Sequence, residues 1–164
     1  MSDSNRKLDR QGEADKYLEF ALGSEFFALP LLMVREVIPL PETTPIPKAP
    51  AHFVGIMNLR GQVISIIDLR AKLKTKSKIG NEEEAVVIAA IGELSIGVVV
   101  DSVTRVLALY GDQIAQVPQV DSQVSTKFIQ GVYKKEDTLT MLLDVAGLLD
   151  VKDLALIQRE KKAA

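Results

Sequence analysis

The sequence predicts a mainly β chain built as two small barrels packed together, and three observations carry that expectation. Short apolar, β-branched runs recur along its 164 residues, separated by turn residues at close spacing. Residues 53–69 have a counterpart in 128–145, about 75 positions later. The run 63–67 is apolar on both faces: with side chains alternating, Ile64 and Ile66 point one way while Val63, Ile67 and Leu69 point the other. A strand of that kind must be covered on each side, as in a small barrel with a neighbour against its outer wall.

Residues 1–15 are polar and unpatterned, which reads as a flexible N-terminal arm. Patterned chain begins at Lys16, where 17–22 alternates, Gly23-Ser24 turns and 25–29 returns, a first hairpin that Pro30 ends. In 31–38, Leu31, Val34 and Ile38 are spaced for one face of a short helix, but the segment is equally apolar enough to continue as strand. Residues 39–50 hold five of the seven prolines and form an extended connection with little ladder pairing. Next comes the central hairpin, 53–70, turning at Asn58-Leu59-Arg60-Gly61, where a glycine that accepts positive φ sits beside polar residues. Asp68 is placed to cap a short helix at 69–73. The charged stretch 74–84 reads as an exposed loop. Residues 85–91 and 94–100 form a hairpin through Gly92-Glu93, and Asp101-Ser102 leads into 103–109. A last hairpin joins 128–133 to 139–144 through a polar turn at 134–137, and helix-forming residues from Lys152 to Lys162 make a terminal helix with Leu154 and Ile157 on one side.

The repeat extends upstream: Glu25 to Val37 matches Glu93 to Val106, with Val34-Arg35-Glu36-Val37 against Val103-Thr104-Arg105-Val106. Four or five short strands per lobe are most simply accommodated by barrels, because closure removes sheet edges. The expected organisation is one folded region over 16–150, made of two intertwined lobes with the second mainly in 85–145, then a C-terminal helix and tail over 151–164.

Composition narrows the function. Lys and Arg number 20 against 22 acids, a net charge of −2, so neither nucleic acid nor an anionic membrane is favoured as partner. Five Phe, three Tyr and no Trp leave little for base stacking. The absence of Cys removes thiolate nucleophiles, thiolate metal sites and disulfides, and is compatible with a cytoplasmic location. No apolar run reaches the roughly 20 residues of a membrane span. The single histidine, His52, has no carboxylate pair nearby in sequence, the glycines form no phosphate-loop spacing, and Glu82-Glu83-Glu84 lacks the alternation of a calcium loop. No catalytic, cofactor or metal site is expected.

Taken in order, Val34-Arg35-Glu36-Val37, Thr44-Pro45-Ile46-Pro47-Lys48-Ala49-Pro50, Gly55-Ile56-Met57-Asn58-Leu59-Arg60-Gly61-Gln62-Val63-Ile64, Ile67-Asp68-Leu69-Arg70 and Gly97-Val98-Val99-Val100-Asp101-Ser102-Val103 resemble the CheW family of chemotaxis coupling proteins. The likeness spans about 16–150, with Ser65 where the family usually carries Pro. It implies two SH3-like five-stranded barrels around a shared apolar interface. It also implies a non-enzymatic, cytoplasmic adaptor, monomeric when free, that links the cytoplasmic hairpin tip of chemoreceptors to a CheA-type histidine kinase. By the same resemblance Val34, Glu36 and Arg60 match receptor-binding positions, with Val103 and Val106 lining the groove between lobes. The competing expectation is a small-ligand protein or enzyme in a double-barrel shell, marked by a bound metabolite or by turnover that depends on His52.

Overall fold

A computed structural model describes residues 13–73, 84–116 and 128–162. Most of the expected N-terminal arm and most of the 74–84 loop therefore lie outside the described residues, although Asp15 already belongs to a strand. Ten strands are present among the described residues: β1 (Asp15–Leu22), β2 (Glu25–Pro30), β3 (Val34–Pro39), β4 (Phe53–Leu59), β5 (Gln62–Asp68), β6 (Ala85–Ile91), β7 (Leu94–Val100), β8 (Ser102–Leu109), β9 (Ile129–Lys135) and β10 (Thr138–Leu143). Three α-helices accompany them: α1 (Leu69–Leu73), α2 (Val145–Leu148) and α3 (Val151–Lys162). Asp68 caps α1 by accepting the Arg70 N–H at 3.0 Å, and Asp144 caps α2 by accepting that of Gly147 at 3.1 Å.

The strands form two five-stranded sheets, ordered β8-β1-β2-β10-β9 and β3-β6-β7-β5-β4. With the first repeat taken as β1–β5 and the second as β6–β10, adding five to each strand of one sheet generates the other. Each sheet thus joins the opening hairpin of one repeat to the last three strands of its counterpart. The expected second lobe over 85–145 is corrected accordingly: β6 and β7 belong with β3–β5, while β1 and β2 belong with β8–β10. The short links after β2 and β7 carry the chain from one sheet to the other.

Residues 31–38 settle as a single 3-10 turn, Leu31–Met33, followed by β3. A helix of that length would have to nucleate against an unfavourable first turn, whereas the extended chain gains a ladder with β6 from Val34 to Pro39. Ser65 lies in mid-strand, paired with Ile56 on one side and Ile96 on the other.

The segment that follows each edge strand β3 and β8 returns to the opposite edge strand of its sheet through one isolated bridge, Thr44 to Ile56 of β4 in one lobe and Ala115 to Val132 of β9 in the other, which draws each sheet toward a closed barrel. Both bridges require a close backbone approach beside a glycine. A Cβ on Gly55 would lie 2.5 Å from the Thr44 carbonyl oxygen, and one on Gly131 would strike the Ile114 side chain.

One large core sits between the lobes, where Phe20, Leu22, Phe27 and Leu29 join Val87, Ala89, Ile96 and Val98. The Phe20 and Phe27 rings stack with centroids 6.3 Å apart. Smaller clusters fill each lobe: Ile64, Ile66, Val86, Ile88 and Val99 in one, and Tyr17, Ala28, Leu107, Leu109 and Leu142 in the other. Ile66 and Ile67 accordingly belong to different clusters, as a strand apolar on both faces demands.

Candidate functional site

The turn between β4 and β5 is a two-residue hairpin in which Arg60 has φ 51° and Gly61 φ 87°. Positive φ at both central residues matches the right-handed twist of the flanking strands, and Asn58 Oδ1 steadies the turn by accepting the Gly61 N–H at 2.9 Å. The turn stands at the tip of edge strand β4, and the opposite edge of the same sheet is β3. Arg60 reaches across: its Nη1 donates to Glu36 Oε1 at 2.6 Å and its Nη2 to Oε2 at 3.0 Å. Two parallel N–H···O bonds fix the planes of both groups, which a lysine at position 60 could not do. This pairing holds the Glu36 carboxyl below its ordinary range, first through the hydrogen bonds and then through the adjacent charge. Arg60 remains 74% exposed, so the engaged guanidinium still faces solvent.

Val34 lies on the same strand as Glu36, partly buried against the core between the lobes. Val103 and Val106 belong to β8 in the other sheet. Val103 pairs with Phe20 and Val106 with Leu18, two residues of the core between the lobes, because a bulge at Glu19/Phe20 restores the phase between them. Val103 is partly buried and Val106 is 53% exposed. The structure therefore joins Glu36 to Arg60, sets Val34 on the same edge strand, and places Val103 and Val106 in the other sheet, Val103 packed against the core between the lobes and Val106 exposed.

Three polar centres had no counterpart in the sequence reading. Glu19, 2% exposed, accepts from Thr140 Oγ1 at 2.7 Å, Thr104 Oγ1 at 2.8 Å and Arg105 Nε at 3.0 Å. Burial pushes its carboxyl upward, but the three donors together leave it below its ordinary value of 4.5. Arg70, 8% exposed, bonds Asp68, Glu84 and Asp101, and Asp101 in turn accepts the Gly23 N–H at 2.6 Å. That chain of contacts ties α1 to the sheet crossing after β7 and to the first hairpin turn.

The third centre is Asp153 on α3, 1% exposed. Its Oδ1 lies 2.8 Å from His52 Nε2, and its Oδ2 accepts from Lys72 Nζ at 2.9 Å. Asp150 and Asp153 also exchange backbone-to-carboxylate bonds at 3.2 and 2.8 Å, a reciprocal cap at the helix start. The Asp150-to-Asp153 spacing signals that cap in the sequence; the partnership with His52, 101 residues away, has no local signal. His52 is thus occupied in anchoring α3. Among the described residues there is no group of three or more His, Cys, Asp or Glu suited to a metal, and no helix long and apolar enough to cross a membrane.

A CheW-like domain model matches residues 16–153. The chemotaxis protein CheW of Klebsiella aerogenes is 30% identical over 157 residues, covering 96% of this chain and 95% of that one. The chemotaxis protein CheW of Treponema pallidum is 29% identical over 146 residues, covering 87% and 86%. The crystal structure of the scaffolding protein TtCheW from Thermoanaerobacter tengcongensis superposes with a TM-score of 0.79 at 27% identity, covering 88% of this chain and 94% of that one.

Proposed function

The chain belongs to the CheW-like family of non-catalytic chemotaxis scaffolds, and from that premise we propose that it joins the cytoplasmic hairpin tip of chemoreceptors to a CheA-type histidine kinase. Val34, Glu36 and Arg60 form the receptor-facing part of the surface, and Val103 and Val106 extend it along the groove between lobes. The observation that carries this reading is the bidentate Glu36–Arg60 pair, oriented and largely exposed at the rim of one barrel. A helical hairpin laid against such a rim finds apolar contact at the valines and a fixed polar register at the fork. Other barrel faces remain for the kinase, and recruitment to membrane-associated receptor arrays follows from the receptor contact. Modest affinities suffice in an array, because each tethered contact raises the effective concentration of the next.

The test is Arg60→Glu. Co-sedimentation with receptor-bearing membranes should fall sharply, while kinase capture and the melting temperature stay as in the wild type. Unchanged recruitment, or a chain that no longer folds, would remove Arg60 from the receptor surface.

A further inference from the structure

We propose that a second cleft, between α3 and the β4–β5 turn, seats an acidic side chain of the receptor hairpin, with Arg35 and Lys161 as its two cations. The proposal rests on the receptor-coupling reading and specifies how that surface handles charge. The cleft has a volume of about 250 Å³, and Gln62, Val63, Ser95 and Ile157 are among the residues that line it beside the two cations.

Arg35 reaches this cleft because β3 is bulged. Val34 pairs with Ala89 and Glu36 with the adjacent Ile88, so Arg35 is the extra residue and its side chain is turned outward. It is exposed and pairs with no acid among the described residues. Lys161 arrives from the opposite wall. It sits one helical turn beyond Ile157, which is 3% exposed and seats α3 on the core, so the two share a helix face. Its Nζ donates to the Glu93 carbonyl oxygen at 3.0 Å, leaving two further ammonium hydrogens for another acceptor. Among the described residues Glu93 supplies the one carboxylate on the cleft wall, against two cations. Val63, Leu94 and Ile157 form apolar flooring that strengthens whatever ion pair forms above it.

Continuity links this cleft to the Glu36–Arg60 rim. Arg35, Gln62 and Ser95 also line the neighbouring depression that contains Glu36 and Arg60. The two sites divide the work: the Arg60 fork is engaged by Glu36 and would have to release it to take a carboxylate, whereas Arg35 has no acidic partner among the described residues. Asp153, through His52 and Lys72, positions the helix that carries Lys161.

The experiment is calorimetric titration of a soluble chemoreceptor cytoplasmic hairpin into the wild type, Arg35→Glu, Arg35→Gln and Lys161→Glu, at low and at physiological salt. Charge reversal at either position should weaken binding about tenfold with an unchanged melting temperature, Arg35→Gln should do so less, and the losses should shrink as salt rises. An Asp-to-Lys or Glu-to-Lys change in the hairpin should restore binding to Arg35→Glu. A wild type that binds while all three variants bind equally well overturns the cleft and leaves the Arg60 surface standing. A wild type that ignores the hairpin overturns both.

Discussion

Beside the parallel pair β5–β7 one lobe is filled by Ile64 and Ile88; beside the equivalent pair β10–β2 the other holds Thr140 and Glu19. All four are nearly sealed from solvent. The contrast extends to the rim. Glu36 and Arg105 occupy equivalent ladder positions, opposite Ile88 and Glu19, and Arg60 and Glu136 are equivalent turn residues with φ 51° and 54°. In the first lobe the interior is apolar, and the charged pair crosses the rim in view of solvent. In the second, Arg105 turns to Glu19 and its charge is spent inside, leaving Glu136 without an ion-pair partner among the described residues. The same frame therefore yields an outward, solvent-facing pair in one lobe and an inward-turned one in the other.

The strongest way to break this comparison is at the glycines that both lobes share. Gly55→Ala should cost about 4 kcal/mol, because the added carbon meets the Thr44 backbone oxygen. Gly131→Ala should cost less, about 2 kcal/mol: the added carbon meets the branch methyl of Ile114 and comes near the Ala115 carbonyl oxygen, and it is the Ile114 side chain, rather than backbone, that has to shift furthest. Urea melts of the two variants decide it, and equal losses would mean that the seams do not differ as described. Next, Thr140→Ile should cost about 3 kcal/mol by depriving a buried carboxylate of a donor, and adding Glu19→Ile, which copies the other lobe, should recover most of that. A double variant no more stable than the single one would show that the polar interior is not interchangeable with the apolar one. The smallest effect concerns acid. Glu19 has a lowered folded-state value, so its contribution is complete above the unfolded value of 4.5 and disappears as pH falls through the lower one. Thermal melts from pH 6 to 3 should show a shallower acid limb in the Glu19→Ile/Thr140→Ile variant than in the wild type; superimposable limbs would deny Glu19 this part in acid stability.

The local parts of the fold were legible because their signals are local. Gly23, Gly61 and Gly92 mark hairpin turns, the β-branched runs mark strands, and Asp68 stands where a short helix begins. The exchange of hairpins was not legible. Both opening hairpins carry the same apolar pattern, so nothing in the sequence states whether β1–β2 completes its own repeat or the other. Glu19 likewise reads as an outward polar residue in an alternating strand, and only Thr104, Arg105 and Thr140, 85 to 121 positions away, reveal it as an interior one. Glu36 and Arg60 were picked out through family resemblance; their contact spans two edge strands and depends on barrel closure.

Hairpin exchange also has a consequence for synthesis. No stretch of nascent chain shorter than about the whole domain contains all the strands of the sheet that begins with β1, because β10 ends at Leu143. The first hairpin therefore waits, unpaired along its outer edges, while the ribosome delivers the rest, and closure depends on contacts far apart in the chain. Cutting between Leu73 and Glu84 would leave two pieces, each holding strands that the other needs, and mixing them should regenerate the fold by complementation.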